Sequence, residues 1–344
     1  MQAGCFTALV TPFAKDAVDY EGLNKLVEFQ IENGITGILA VGTTGESPTL
    51  SWDEHITVID TIAGKTKNKC ACIAGTGSNN TAETLSATDH AAKAGVDAVL
   101  LVDPYYNGPS SIEIRREYVE PVAARFPNTQ IIPYVIPGRT GAQLMPQDLA
   151  IASQKYPNVK SVKEATGNLD NMRLTRKCCG PDFIILSGDD GITFDMMTDP
   201  EIRGAGVISV MSNIAPKAVT DMVMYLNQNN AAAAEKLMNA MTPFFNLVTV
   251  KTTEQTAYGD VVCKARNPLA VKTLMQILGM PAGPCRRPLG KLTKTGIDKV
   301  LNAARTVQAE SPEILQPAAE FFNIDVDERL NNEKYWEGLY YKAY

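Results

Sequence analysis

The sequence predicts an α/β protein: a (β/α)₈ TIM barrel followed by an all-helical C-terminal region. Three observations predict it. Short apolar runs alternate with amphipathic stretches eight times between residues 4 and 210, and strand–helix alternation means parallel strands. The runs are nearly continuous in apolar and β-branched residues, as strands covered on both faces are. The 344 residues accommodate a barrel of ~250 residues with a remainder of ~90.

The strands are expected at 4–10 (GCFTALV), 36–41 (TGILAV), 70–74 (CACIA), 97–102 (DAVLLV), 130–135 (QIIPYV), 159–163 (VKSVK), 183–187 (FIILS) and 205–210 (AGVISV). Helical patterns lie between them, at 20–33, 53–63, 81–94, 111–125 and 168–178. In the first of these, Leu23, Leu26, Val27 and Ile31 share one face. An open doubly wound sheet is the alternative, but it usually carries a phosphate loop near its first strand, and none is present here. After residue 214 helical segments follow one another without strands, near 215–228, 231–249, 266–279 and 291–309. The expected organisation is a barrel core at 1–214, a helical region at 215–311 and an atypical extension at 312–344. The extension holds seven of the 24 aromatic residues, among them Phe321, Phe322 and Trp336. That content argues for a docked arm rather than a disordered tail.

Composition narrows the chemistry. Only two histidines, His55 and His90, are present, which nearly excludes a histidine-built zinc site. Lysine, tyrosine, carboxylates, cysteine or hydroxyls must carry any reaction. A net charge of -6 argues against nucleic acid as a partner. No apolar run approaches the ~20 residues of a membrane span. No basic residue precedes Lys15, so no secretory n-region is expected. Seven scattered cysteines read as reduced thiols of a cytoplasmic protein.

Several motif fragments fail. Gly75-Thr76-Gly77 lacks the closing glycine of a dinucleotide fingerprint, and Gly45-Glu46-Ser47-Pro48-Thr49 ends in threonine where a nucleophile elbow needs glycine. The basic group Arg286, Arg287, Lys291 and Lys294 reads as a solvated helix start.

In a barrel of this kind chemistry sits at the C-terminal ends of the strands, and that rim is polar and glycine-rich. Lys163 ends an apolar strand, where burial disfavours the ammonium. A lysine kept partly neutral attacks carbonyls and forms a Schiff base. The alternative is a lysine that snorkels to the rim or pairs with a carboxylate. Tyr134 and Tyr106 offer phenols that can pass protons, or rim packing. Thr43 and Thr44 offer hydroxyls in a glycine-flanked loop. Arg139, in a Gly/Pro-rich loop, can clamp a carboxylate or lie on the surface. Asp189 and Asp190 read as an acid/base or metal pair, or as residues that order their loop and cap the next helix.

The segments GTTGES (42–47), PYYN (104–107), PGRTG (137–141), KEATGN (163–168), SGDD (187–190) and GVISV (206–210) resemble, in order and spacing, those of the dihydrodipicolinate synthases, within the pyruvate-dependent class I aldolases. The resemblance is close over 1–250 and looser over 264–309. It implies a (β/α)₈ barrel, a homo-oligomer (a tetramer, or dimer of dimers), and a Schiff-base condensation of pyruvate with L-aspartate 4-semialdehyde in the diaminopimelate route to lysine. It implies that Lys163 forms the imine, that Tyr134 shuttles protons, and that Thr43 and Tyr106 complete the relay, Tyr106 across a subunit interface. By the same resemblance Thr44 binds the pyruvate carboxylate, Arg139 holds the carboxylate of the semialdehyde, and Gly188 and Ile208 wall the pocket. Neither metal nor organic cofactor is implied.

N-acetylneuraminate lyases and ketodeoxysugar aldolases share the lysine and tyrosine, but generally lack the second threonine, YYN and RTG arginine seen here. A catalytically silent ligand-binding barrel is the other class of alternative, against which the intact set Lys163, Tyr134 and Thr43 argues. Ser51-Trp52-Asp53-Glu54-His55 resembles the plant-type lysine feedback site, and Asn79, Glu83 and Tyr105 match further lysine-contacting positions. Inhibition by L-lysine is therefore expected. Two departures stand out: the segment 251–263 is longer than the usual connection, and 312–344 has no typical counterpart.

Overall fold

The computed structural model describes residues 2–344. Eight parallel strands close into a barrel: β1 Gly4–Ala8, β2 Gly37–Ala40, β3 Ala71–Gly75, β4 Ala98–Val102, β5 Gln130–Val135, β6 Ser161–Glu164, β7 Ile184–Ser187 and β8 Gly206–Ser209. Each strand pairs with its sequence neighbours, and β1 pairs with both β2 and β8. Side chains alternate along each strand. Phe6, Leu39, Ile73, Leu100, Ile132, Tyr134, Leu186 and Ile208 fill the barrel interior, while Val27, Ile59, Val99, Val162 and Val207 belong to the outer core that the helices cover.

Helix starts follow local sequence. Trp52–Thr66 opens with a reciprocal capping box between Ser51 and Glu54. Leu169–Cys179 is capped by Asn168, whose side chain accepts from the Asp170 and Asn171 amides. Thr81–Ala94 ends at Gly95 in the left-handed conformation.

The C-terminal region is helical as expected, with Pro216–Asn227, Ala231–Phe245, Leu269–Leu278 and Lys294–Glu310. It is not helical throughout. Residues that were expected only as a long connection form an antiparallel hairpin, β9 Thr249–Thr256 with β10 Gly259–Arg266. Val250, Thr252 and Glu254 alternate with exposed Lys251, Thr253 and Gln255, a period of two that a helix cannot present to one side.

The extension docks on its own chain. Phe321 and Phe322 pack against Phe29 of helix Tyr20–Glu32, with ring centroids 5.3 and 5.1 Å away. Trp336 is buried, with the Arg305 guanidinium 5.6 Å from its ring. Tyr341 donates its amide to the Leu292 carbonyl.

Candidate active site

Lys163 sits on β6 directly beside Tyr134 on β5 and Leu186 on β7. Cα partners in parallel strands point the same way, so Lys163 belongs to the interior layer. It is 4% exposed, and its Nζ lies 4.2 Å from the centroid of the Tyr134 ring. Burial lowers its pKa to about 7; the Asp190 carboxylate opposes the shift and the Arg139 charge adds to it. Near neutrality a substantial fraction is therefore the free amine. Tyr134 is driven the other way, to about 12, by burial, with Arg139 and the Thr43 hydroxyl pulling it back. It stays protonated and can donate.

Gly188 shows why that position has no side chain. A Cβ there would meet Ala165 Cβ at 2.7 Å and Lys163 Cε at 3.1 Å. A Gly188→Ala variant is expected to fold but to lose roughly tenfold or more in kcat/KM for the carbonyl substrate, because small displacements of a nucleophile are costly. Steady-state kinetics beside a thermal melt checks this.

A cavity of about 590 Å³ opens over this rim. Thr43, Tyr134 and Arg139 line one part of it; Trp52, His55, Asn79, Glu83 and Tyr105 line another. Within that second part Asn79 Oδ1 accepts from the Tyr105 amide at 2.7 Å and Glu83 from Ser78 Oγ at 2.5 Å. His55 is buried and held neutral, its pKa lowered to about 4 by desolvation. Trp52 is half exposed and meets the His55 ring edge-on.

The remaining expected residues divide. Ile208 is packed in the barrel interior with Tyr134 and Leu186. Thr44 is buried and accepts from Asn267 Nδ2 at 2.9 Å. Tyr106 does not join the set: it is 84% exposed. Asp189 and Asp190 are loop-ordering groups here. Asp189 accepts from the Gly191 amide, and Asp190 accepts from Ser209 and from the Val210 and Met211 amides.

Three residues were not anticipated. Asn267 and Arg266 join the end of the hairpin to the Arg139 loop. Lys272 forms a buried ion pair with Glu46 at 2.6 Å. Lys272 did carry a signal: it interrupts the apolar run Leu269–Leu278 as Lys163 interrupts its strand. Arg286, expected to be solvated, instead donates to both Glu54 carboxylate oxygens and lies 4.3 Å from the Phe13 ring.

Comparison with known proteins finds relatives along most of the chain. The sequence model of the Dihydrodipicolinate synthetase family matches residues 1–307. A 4-hydroxy-tetrahydrodipicolinate synthase of Methanococcus maripaludis is 38% identical over 304 residues, covering 88% of this chain and 98% of that protein. The solved 4-hydroxy-tetrahydrodipicolinate synthase of Methylacidiphilum fumariolicum superposes with a TM-score of 0.83 at 33% identity, covering 92% of this chain and 99% of that one. A dihydrodipicolinate synthase of Cyanidioschyzon merolae, solved with lysine bound, gives 0.80 at 32% identity, covering 89% and 98%.

Proposed function

The chain belongs to the dihydrodipicolinate synthetase family, lyases of the class I aldolase type, and on that premise we propose that it is a 4-hydroxy-tetrahydrodipicolinate synthase, condensing pyruvate with L-aspartate 4-semialdehyde in the diaminopimelate route to lysine. The observation that carries this is Lys163: buried, shifted toward the neutral amine, and in register beside Tyr134.

The amine of Lys163 adds to the keto carbon of pyruvate. Tyr134 passes a proton to the carbinolamine oxygen, water leaves, and the imine forms. The imine acidifies the pyruvate methyl, which loses a proton to give the enamine. The enamine carbon bonds to the aldehyde carbon of the semialdehyde, whose oxygen takes up a proton. The amino group of the semialdehyde then attacks the imine carbon, and ring closure returns Lys163 as the free amine. Thr43, beside Tyr134, continues the proton relay. Thr44 holds the pyruvate carboxylate, and Arg139 holds the carboxylate of the semialdehyde. Gly188 and Ile208 shape the wall. The imine itself is the electron sink, so this route uses no metal or organic cofactor.

Tyr106 completes the relay from a neighbouring subunit, which accounts for its exposure in one protomer. The working form is accordingly a homo-oligomer, a tetramer or dimer of dimers, in the cytoplasm. Borohydride reduction in the presence of pyruvate, followed by peptide mass analysis, tests the chemistry: an adduct on Lys163 is expected, and none would overturn it. Turnover with L-aspartate 4-semialdehyde rather than a sugar aldehyde tests the acceptor.

The second part of the cavity takes L-lysine as a feedback inhibitor through Trp52, His55, Asn79, Glu83 and Tyr105. Glu83 supplies a carboxylate for the ligand's ammonium and Trp52 an apolar face for its chain. Millimolar lysine is expected to lower the rate, and Glu83→Ala to raise the concentration needed by about tenfold, the loss of a charge-assisted hydrogen bond. An unchanged rate in millimolar lysine would overturn this reading.

A further inference from the structure

The hairpin leaves one of its two edges open. Its two-residue turn, Ala257-Tyr258, closes on the pair Thr256–Gly259. That pair and, by alternation, Glu254–Val261 and Thr252–Cys263 therefore exchange the backbone hydrogen bonds of the ribbon. The backbone groups of the residues between them point outward. On β9 this edge meets helix Lys294–Glu310, where the Lys251 carbonyl accepts from Lys299 Nζ at 2.7 Å. On β10 the outward groups belong to Asp260, Val262 and Lys264, and no hydrogen bond from another element of the described residues reaches them. The side chains along this strand are in water: Val262 is 60% exposed, Val261 38%, and Tyr258 at the tip is fully exposed. Two charges are also unmatched. Neither Asp260 nor Lys264 forms an ion pair among the described residues. Lys264 stands directly opposite Lys251, and like charges so placed weaken a ribbon.

We propose that β10 is an interaction surface for a second copy of this chain, the two strands pairing antiparallel about a two-fold axis at Val262. Charge order selects this occupant. The stretch Asp260-Val261-Val262-Cys263-Lys264 is complementary to itself when reversed. With Val262 facing Val262 of the second copy, Asp260 meets Lys264 of the second copy and Lys264 meets its Asp260, an isologous contact in which both charges are matched. The outward backbone groups of Asp260, Val262 and Lys264 then satisfy one another, as in strand addition. Only shifts by an even number of residues keep those groups facing. The nearest such shifts set Val262 against Asp260 or against Lys264 of the second copy, a valine against a charge. The same register brings the exposed Tyr258 ring beside Arg266 of the second copy, a pairing of aromatic face and guanidinium. A bare edge strand invites pairing with any chain; here the charges restrict it to its own kind. The surface shares no residue with the PYYN loop, so this contact is additional to the one that delivers Tyr106, and it does not depend on the aldolase reading.

Charge reversal in the full-length protein tests the register, read by sedimentation velocity at matched concentration. Asp260→Lys and Lys264→Asp each set like charges against each other across the axis, and each is expected to sediment at half the mass of the wild type. Lys264→Asp also places a carboxylate opposite Lys251, which favours the ribbon itself, so an undiminished thermal melt separates lost association from lost folding. Mixed in equal amounts, the two variants are complementary again and are expected to regain the wild-type mass, as is the double variant Asp260→Lys, Lys264→Asp. Residues facing each other across such a pair lie within disulfide reach. Val262→Cys in a Cys263→Ser background is therefore expected to give a disulfide-linked dimer on mild oxidation. Thr253→Cys in the same background, opposite Val262 within the ribbon, is expected to give none. Wild-type mass in either single variant would overturn the proposal. So would a mixture and a double variant that stay at the reduced mass, or a Val262→Cys protein that cross-links no better than Thr253→Cys.

Discussion

Replacing Lys163 with alanine is expected to abolish the borohydride-trapped pyruvate adduct and to lower kcat by about 10³-fold or more. A nucleophile held against its target is worth effective molarities of ~10⁵ M or higher, which no amine in solution replaces. Lys163→Arg is expected to be equally inactive in trapping, because a guanidinium stays charged and cannot form the imine. In the wild type, attack requires the neutral amine. With the pKa lowered to about 7 by burial, adduct formation is expected to rise as pH increases through about 7 and to level off above about 8. A profile still climbing toward the ordinary lysine value of 10.5 would show that the buried lysine keeps its proton. The same shift carries a stability signature. Between about 7 and 10.5 the unfolded chain holds a proton that the folded chain has released, so this group's contribution to stability rises with pH across that window. Chemical denaturation across that window, compared with Lys163→Ala, isolates this contribution.

That lysine was legible because sequence and fold state the same conflict: a charged group at the end of an apolar strand of a barrel whose strand ends carry chemistry. Its neighbour Tyr134 was legible for a related reason, since strands adjacent in sequence lie side by side and their ends share one rim. The hairpin at 249–266 was not read, although its alternation of Val250, Thr252 and Glu254 with charged and polar residues has the period of a strand. Its polar composition and its place in a helical region hid the pattern. Contacts such as Thr44 with Asn267 and Glu46 with Lys272 join residues 223 and 226 positions apart. No local spacing encodes them, because they exist only once the helical region closes over the barrel rim. The cavity joining Thr43 and Arg139 to Trp52 and Glu83 is lined by barrel residues alone, from Val41 to Thr140, and follows from the order of the strands.

Lys272 is one point at which that closure is held, and Lys272→Met is expected to destabilise the protein by about 3–5 kcal/mol. Both partners are removed from water: their side chains are 0% and 1% exposed. Burial pulls the Lys272 pKa down, and the Glu46 charge works against it. Lys272 Nζ also donates to the Thr11 and Pro284 carbonyls at 3.0 and 3.3 Å, and the other Glu46 oxygen accepts from the Arg286 amide at 2.8 Å. Methionine fills the volume but leaves a buried carboxylate without its cation, held by that amide and the Cys285 thiol, together with two carbonyls that lose a donor. Removing one partner of such a pair is costly because the remaining charge stays buried. The double variant Lys272→Met, Glu46→Gln removes the charge and is expected to recover a large part of the loss, but not all of it, since the carbonyls remain unpaired. Glu46 closes the loop that carries Thr43 and Thr44, so the single variant is also expected to raise KM for pyruvate more than it lowers kcat. Urea denaturation of the three proteins measures the first effect and steady-state kinetics the second. A single variant within about 1 kcal/mol of the wild type would show that water reaches the pair and that the rim is anchored elsewhere.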